Sequence, residues 1–403
     1  MGAVEDLAWR IGTMISPNWR RIVAVTISSK DDASWARVPA WVNKGYAYDR
    51  WIESLELPIH RGYFVDDLRN VEVKPWEERE CNTCFIQLMG QEGISEARVT
   101  EIPAGATLPP LKLAVDEVVY VVDGQGLTTV WSDDGGPKTT FEWDKRSVFM
   151  LPRHITHQFS NARGDRAARL LHYNYLPLAM TIVQEPAFFI NNRQGQPAPM
   201  DGEPYSEAQS VNMGSSAFGT GSGSSGVFWF GNFFPDMLSW DKLDSWGARG
   251  AGGSSVVLAF PNSEISAHMS VFPMGTYKKC HRHGPGRVIV IPGGEGFSIM
   301  WEEGKEQVII PWHEASMLVP PEKWFHQHFN LGGAPARYLA LHPSRQFAGY
   351  GESVEDLARD QIEYTDEAPW IREYFEAELA KRGLTSLMPD EAYRDRNYRW
   401  KPA

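Results

Sequence analysis

The stretch GTYKKCHRHGPGR, residues 275–287, places His281 and His283 two positions apart in a segment that otherwise has the composition of a β-strand. Side chains at positions i and i+2 of a strand point to the same face, so these two imidazoles project together. A third histidine, His326, lies on a later strand-like segment. Two ligands fixed by one strand and a distant third that closes the site suit a protein metal site. We therefore predict that His281, His283 and His326 bind a metal ion.

The chain contains two copies of one unit. The segment 96–131 resembles the segment 264–301, and the segment 151–161 resembles the segment 319–330. The matched pairs share an offset of 169 or 170 residues and are Gly105 with Gly275, Gly124 with Gly294, Trp143 with Trp312, His157 with His326 and Asn161 with Asn330. A repeat with one constant offset indicates a duplicated domain.

Each copy consists of short β-rich segments, such as RVIVI, FSIMW and EQVII, separated by turn sequences such as PGGEG. Short strands at regular spacing, without helical periodicity between them, are typical of an antiparallel sandwich or a jelly-roll barrel. After the second copy the pattern becomes helical, with Ile371, Tyr374, Phe375 and Leu379 on one stripe. We therefore predict an all-β fold of two tandem barrels with short terminal helices.

These residues carry a resemblance to the cupin superfamily, and specifically to its two-barrel members, the bicupins. The second copy matches both cupin motifs, G-x5-H-x-H-x3,4-E-x6-G and G-x5-P-x-G-x2-H-x3-N. The matching residues are Gly275, His281, His283 and Gly294 in the first motif, and Pro321, His326 and Asn330 in the second. The resemblance covers roughly residues 81–190 and 241–345, and it implies one double-stranded β-helix barrel for each copy.

Two departures from the cupin motifs matter for the chemistry. Arg287 occupies the position of the motif's glutamate, and Leu111 and Leu113 replace the histidine pair in the first copy. Because neither a guanidinium nor a leucine ligates a metal ion, we expect a three-histidine site in the second barrel and none in the first. The first copy keeps Glu117 and His157, which either pair with each other or have lost their role.

Among three-histidine cupins, the resemblance points to iron(II) dioxygenases such as the bicupin gentisate and salicylate 1,2-dioxygenases. It implies Fe(II) as the metal, with Mn, Ni, Cu and Zn as alternatives because imidazole suits all of them. Arg287 is the candidate for binding a substrate carboxylate, with a structural ion pair as the alternative. His328 shares a strand face with His326 and is a second catalytic candidate, as a fourth ligand, an acid or base, a substrate contact or a support for the ligands. His268 and His313 are expected to be structural.

The function that this resemblance implies is that of a non-haem iron(II) dioxygenase. It would use O2 to cleave a C–C bond, aromatic rings included, of a small aromatic or carbonyl-bearing acid. One alternative is a redox-neutral, metal-dependent decarboxylase, lyase or isomerase. A second alternative is a bicupin that binds a small molecule without catalysis. Oxygen consumption separates the first two functions, and metal content separates both from the third.

Composition excludes several partner classes. The 403 residues carry a net charge of −12, and an acidic surface repels nucleic acid and anionic lipid. Three cysteines make no disulfide framework, and the single CxxC of Cys81 and Cys84 has no second pair for a zinc ribbon, so we interpret both as buried strand residues. The first residues do not form a signal peptide, and no apolar run has membrane-spanning length. We expect a cytoplasmic homo-oligomer.

The predicted domain organisation follows the repeat. Residues 1–80 form an N-terminal extension that wraps the barrels, residues 81–190 the first barrel, and residues 191–240 a linker. Residues 241–345 form the second barrel, and residues 346–403 a helical C-terminal extension. Within the linker, the glycine- and serine-rich stretch 215–226 is predicted to be mobile because its chain entropy is high and it has little to bury.

Overall fold

A computed structural model of the chain gives its fold. The structure describes residues 45–133, 135–193, 195, 197, 205–206, 208–212, 227–239, 244–245, 250–344, 347 and 359–400. The stretch 215–226 that was predicted to be mobile, and most of the predicted N-terminal extension, lie outside these residues. From Tyr46 onward the chain forms one compact unit.

Strands dominate the described residues. The first twelve strands are β1 (Ile59–Gly62), β2 (Phe64–Val65), β3 (Lys74–Trp76), β4 (Cys81–Leu88), β5 (Glu96–Ile102), β6 (Leu111–Lys112), β7 (Glu117–Asp123), β8 (Gln125–Trp131), β9 (Thr139–Asp144), β10 (Val148–Leu151), β11 (Thr156–Asn161) and β12 (Ala168–Asn174). The others are β13 (Gln209–Asn212), β14 (Val227–Phe230), β15 (Phe233–Phe234), β16 (Asp244–Ser245), β17 (Ser254–Ala259), β18 (Ser266–Phe272), β19 (Cys280–His281), β20 (Val288–Gly293), β21 (Gly296–Trp301), β22 (Val308–Trp312), β23 (Met317–Leu318), β24 (Phe325–Asn330), β25 (Ala336–His342) and β26 (Gln361–Ile362). The α-helices are α1 (Ala47–Ser54), α2 (Leu176–Ala179), α3 (Pro186–Phe189) and α4 (Pro369–Ala380).

Each barrel is made of a large and a small sheet. In the first barrel the large sheet has the order β1-β4-β5-β12-β7-β10-β15, with β3 beside β4, and the small sheet has the order β6-β11-β8-β9. In the second barrel the large sheet runs β13-β14-β17-β18-β25-β20-β23-β2, with β16 beside β17, and the small sheet runs β22-β21-β24-β19-β26. The predicted all-β architecture of two tandem barrels with short terminal helices is confirmed.

Each barrel includes strands from segments outside its own repeat. Strand β2, which precedes the first barrel in the sequence, pairs with β23 in the large sheet of the second barrel. Strand β15, which follows the first barrel, pairs with β10 in the large sheet of that barrel. Each large sheet is therefore completed by strands that lie outside the repeated segment.

The large sheets pack against each other through alternate side chains. Val118 and Tyr120 of β7 belong to an apolar core that is shared by both large sheets, whereas Val119 lies in the core inside the first barrel. In the second barrel, Val288 and Val290 of β20 belong to the shared core. Because successive strand residues point to opposite faces, every second residue of these strands faces a barrel interior.

The two copies use matched residues in the same structural roles. Asn161 and Asn330 each donate their side-chain Nδ2 to three backbone carbonyls of the turns that close the barrel. Gly124 and Gly294 have φ of +100° and +104°, and a Cβ on either would lie within 2.7 Å of an alanine of the neighbouring strand. The glycines are therefore required by both backbone conformation and space. The duplication is confirmed by these shared contacts.

The outer face of the second small sheet is covered by α4. The helix begins at Pro369, and its buried residues are Ile371, Phe375 and Leu379, as the predicted stripe requires. The ring of Phe375 packs against Tyr277 and Phe329 at centroid distances of 5.0 and 5.6 Å. No helix in the described ranges combines the length and apolarity needed to cross a membrane.

The cysteines are buried and free, as the strand interpretation predicts. Cys81 and Cys84 both lie on β4, and burial raises the pKa of Cys84 to about 12. A thiol with such a pKa stays protonated at neutral pH, which makes it a poor nucleophile and a poor metal ligand.

Candidate metal centre

The structure brings the three predicted ligands together inside the second barrel. Strands β19 and β24 are antiparallel neighbours in which His281 lies directly opposite His326, and His283 follows two residues after His281. One ring nitrogen from each histidine lies within 4.8 Å of the others, and all three residues are buried. Among the described residues, this is the group of side chains arranged to hold a metal ion.

Backbone carbonyls fix the orientation of all three rings. The Nδ1 atom of His281 lies 3.3 Å from the carbonyl oxygen of Lys279. The Nδ1 atom of His283 lies 2.8 Å from that of Gly284, and the Nδ1 atom of His326 lies 3.1 Å from that of Trp324. A carbonyl can only accept, so Nδ1 carries the proton and the lone pair is on Nε2. This is the tautomer that metal-binding histidines adopt, with the second nitrogen held by a hydrogen bond.

The protonation state also fits a metal ligand. Burial, then the positive charge of Arg287 and the neighbouring His326, hold the pKa of His283 well below its usual value. A neutral imidazole offers its lone pair to a cation, whereas an imidazolium does not. The donor set therefore fits a divalent ion that accepts nitrogen ligands, such as Fe(II), Mn, Ni, Cu or Zn.

Arg287 faces the same interior. The next residue, Val288, points into the core shared by the barrels, and successive side chains of a strand point to opposite faces. Its side chain is buried, and its charge acts on both His283 and His342. The first barrel holds the peptide just before it, because Gly286 O accepts hydrogen bonds from Tyr173 Oη at 2.8 Å and from Ser95 Oγ at 3.2 Å. Arg287 is thus positioned by residues of both barrels.

His328 lies beside the three ligands in the opposite tautomer. Trp312 Nε1 donates to Ser298 Oγ at 3.0 Å, and Ser298 Oγ lies 2.7 Å from His328 Nδ1. With the serine hydroxyl as the donor, Nδ1 accepts and the imidazole proton is on Nε2. Burial, followed by the charges of His326 and Lys278, keeps the pKa of His328 well below its usual value. In this arrangement His328 would present an N–H donor, which favours a substrate contact over a fourth ligand.

The interior also contains Lys278 and His342, which were not predicted from the sequence, and His268, which was expected to be structural. Lys278 is fully buried, and its backbone N–H donates to His328 O at 3.0 Å, which continues the pairing of β19 with β24. His268 Nδ1 and His342 Nε2 are 2.7 Å apart on the large sheet. We call the polar interior lined by Lys278, His281, His283, Arg287, His326 and His328 the chamber. Lys278 lies three residues before His281 in the sequence.

His313 does not join the chamber. Its side chain is 42% exposed, and Nε2 lies 3.5 Å from Asp66 Oδ1. This placement agrees with the structural role that was expected for it.

The first barrel has apolar side chains at the positions of the metal-ligand candidates. At the positions of His281 and His283 it has Leu111 and Leu113, both buried. By the offsets of the repeat, Leu108 and Phe159 stand where the second barrel has Lys278 and His328. The first barrel therefore does not reproduce the ligand set or its polar surroundings.

The carboxylate of Glu117 forms hydrogen bonds with residues other than His157. It accepts hydrogen bonds from Arg98 Nη2 at 3.0 Å, His172 Nδ1 at 2.9 Å and Asn174 Nδ2 at 3.1 Å. Burial raises the pKa of Glu117, but His172 and Arg98 outweigh it and hold this pKa far below its usual value. His157 is buried with no hydrogen bond to either ring nitrogen from the described residues, and burial lowers its pKa to about 3. The alternative in which Glu117 and His157 pair directly is not observed.

Comparison with known proteins gives structural neighbours alone. No family model matches the chain, and no curated protein matches it. A deletion variant of the Bacillus subtilis oxalate decarboxylase has 12% identity and a TM-score of 0.44, over 70% of this chain and 77% of that one. A formate complex of the Lactobacillus farciminis oxalate decarboxylase has 14% identity and a TM-score of 0.46, over 71% and 87%. A second variant of the Bacillus subtilis enzyme has 10% identity and a TM-score of 0.46, over 84% and 88%.

The ligand geometry predicts that metal binds once per chain. The double variant His281→Ala, His283→Ala removes two of three donors and should abolish binding of added Fe(II) or Mn(II), measured by elemental analysis after dialysis. The matched control is His157→Leu, which changes the histidine at the equivalent position of the first barrel and should retain a full metal complement. Undiminished metal in the double variant would place the site elsewhere.

The buried, neutral His157 predicts a pH dependence of stability. Its folded-state pKa of about 3 lies below the value near 6.5 of an unfolded chain, so acid protonates the unfolded state first. The contribution is complete above about pH 6.5 and is lost as pH falls toward 3. Between pH 7 and 5 this one group lowers the free energy of unfolding by up to about 2 kcal/mol. Urea unfolding of His157→Leu should show a smaller loss over that interval than the parent chain does; equal losses would contradict the assignment.

Proposed function

We propose that the chain is a metal-dependent enzyme that acts on a small carboxylic acid in the chamber, by a redox-neutral reaction such as decarboxylation, or by a related lyase or isomerase reaction. The observation that carries this proposal is the combination, in one buried interior, of three metal-binding imidazoles with the cations of Arg287 and Lys278. Both the ligand set and the surroundings favour a substrate that brings negative charge.

The distribution of buried acids supports an anionic substrate. Among the residues that the structure describes, the buried acidic ones are Glu96, Glu117 and Asp360. Glu96 and Glu117 bond to Arg98 in the first barrel, and Asp360 bonds to Arg282 on the outside of the second. The described part of the chamber therefore combines buried cations with neutral histidines, and a bound metal ion would add further positive charge. Such an interior attracts a carboxylate and stabilises negative charge that develops on it.

The residues of the chamber suit a reaction that builds up negative charge on the substrate. When a carboxylate leaves as CO2, the bonding electrons stay on the remaining fragment, which finally takes up a proton from solvent. A bound divalent ion would act as a Lewis acid for the substrate oxygens. Arg287 would orient the carboxylate through its two-pronged guanidinium, and the Nε2–H of His328 would donate to the oxygen on which charge develops. The backbone before Arg287 is held by Tyr173 and Ser95, and the ring of His328 is held by Ser298.

Oxygen-dependent C–C cleavage, the function that the cupin resemblance implies, is the second candidate. It is favoured by the ligand set, because three imidazoles would add no negative charge to a bound Fe(II). The ion would keep its +2 charge and would attract an anionic substrate before O2. The proton-bearing His328 is needed less in this chemistry, and for this reason we place it second.

Anaerobic turnover separates the two reactions. The chain reconstituted with Mn(II) or Fe(II) would be screened without O2 against keto acids, dicarboxylic acids and hydroxybenzoic acids, with released CO2 and the remaining acids quantified. We expect turnover under strict anaerobiosis. Turnover that requires O2, with uptake equal to product, would establish the dioxygenase reaction instead. Metal binding without turnover in either atmosphere would favour a non-catalytic binding protein.

Arg287 should contribute strongly to activity without contributing to metal binding. Removing a charged hydrogen bond inside a buried site costs about 2–4 kcal/mol of transition-state binding, so Arg287→Met should lower kcat/KM by about 30- to 1,000-fold. Elemental analysis should find unchanged metal. The matched control is Arg61→Met, which removes an exposed arginine that pairs with Glu53 at the surface. Full activity of Arg287→Met would show that the arginine has a structural role alone.

A further inference from the structure

We propose that Lys278 forms a second anion-binding position at the inner end of the chamber, so that the substrate carries two acidic groups. This inference rests on the proposed function for its first anion-binding position, at Arg287. It assigns a role to a residue for which the cupin motifs have no place.

Lys278 closes the chamber on its inner side. Its backbone belongs to the small sheet, opposite His328, whereas its ammonium reaches Ser270 Oγ on β18 of the large sheet at 2.5 Å. Nζ also lies 5.5 Å from the ring centroid of Phe272 and 5.4 Å from that of Tyr338. The side chain therefore spans the barrel from one sheet to the other. Phe272 and Tyr338 belong to the apolar core that fills the rest of the interior.

The ammonium is placed beside the residues that would contact the substrate. The ring of Tyr338 lies next to both side chains, with its centroid 5.0 Å from that of His328 and 5.4 Å from Lys278 Nζ. His328 in turn lies 5.6 Å from His326, measured between ring centroids. The order along the interior is therefore the ligand histidines, then His328, then Lys278.

A structural role alone does not account for this lysine. The duplicated barrel has Leu108 at the equivalent position, where it is buried in the core of that barrel. A leucine therefore suffices to close an interior of this shape. Burying an ammonium is costly in comparison. The lysine occurs in the copy that has the three histidines and Arg287.

The positions of the two cations define the class of substrate. Arg287 precedes Val288, which pairs with Leu341 of β25, whereas Lys278 reaches Ser270, which pairs with Tyr338 of the same strand. The two cations therefore approach the interior from different levels of the barrel wall. A flexible dicarboxylic acid, with one carboxylate at each cation, fits this arrangement better than a monocarboxylic acid does.

Equilibrium binding tests this subsite without any assay of turnover. Isothermal titration calorimetry on the Mn(II)-loaded chain would compare acetate with malonate, succinate, glutarate and adipate. We expect at least one of the longer diacids to bind about 10- to 100-fold more tightly than acetate, because the second carboxylate gains a charged hydrogen bond. Equal affinities for all five acids in the parent chain would overturn the proposal.

The decisive variant is Lys278→Leu, which copies the residue of the first barrel. It should keep its metal and its affinity for acetate while its preference for the diacid falls to within about 3-fold of acetate, on the loss of one charged hydrogen bond. Lys278→Arg keeps the charge and should retain part of the preference. A diacid preference that survives in a folded, metal-loaded Lys278→Leu would also overturn the proposal. If Lys278→Leu does not fold, the parent chain and Lys278→Arg still decide. A diacid preference in the parent chain that Lys278→Arg weakens but keeps, with its metal intact, supports the subsite, and equal affinities for all five acids in the parent chain reject it. Failure of the proposed function would appear separately, as diacid binding without turnover.

Discussion

The strict alternation of side chains along the large sheets is the constraint on which the rest of the molecule depends. One face of each large sheet is committed to the apolar core between the barrels, through residues such as Val288 and Val290. The intervening residues must then face a barrel interior, and this is where Arg287 lies. A shift of one residue in the register of β20 would exchange the two sets, burying the guanidinium between the sheets. The apolar packing between the barrels therefore fixes which residues can take part in chemistry.

The two barrels fill the same interior in different ways. The first contains a buried hydrogen-bonded network, in which Glu117 accepts from Arg98, His172 and Asn174. The second places Arg287 and Lys278 in the same interior as the three candidate ligands. Because Arg98 is paired with Glu96 and Glu117, whereas the buried acids of the described residues lie outside the chamber, the divergence after duplication separated a stabilising interior from a binding interior. The bond from Tyr173 to Gly286 shows that the first barrel still contributes to the second one's site.

Much of this arrangement follows from the sequence, for identifiable physical reasons. The repeat, the strand spacing and the i, i+2 histidines follow local rules, so the two barrels and the convergence of His281, His283 and His326 could be predicted. The partners of Glu117 could not, because Arg98 and His172 reach it across two neighbouring strands whose register no local pattern specifies. Lys278 was missed for a related reason, since a surface position is the ordinary expectation for lysine and burial depends on the whole barrel. The tautomer of His328 likewise depends on Ser298 and Trp312, which the chain brings together by folding.

The exchange of strands between the barrels bears on the order in which the molecule is made. A ribosome delivers the first barrel before the second, yet the large sheet of the first lacks its edge strand until Phe233–Phe234 has been synthesised. Phe64–Val65 meets its partner strand later still, and the neighbouring bond from Ser316 to Asp66 O joins residues 250 positions apart. Strand β2 must therefore wait for its partner β23 while most of the polypeptide is synthesised. During translation, this strand and the uncovered edge of the first large sheet are exposed to wrong pairing.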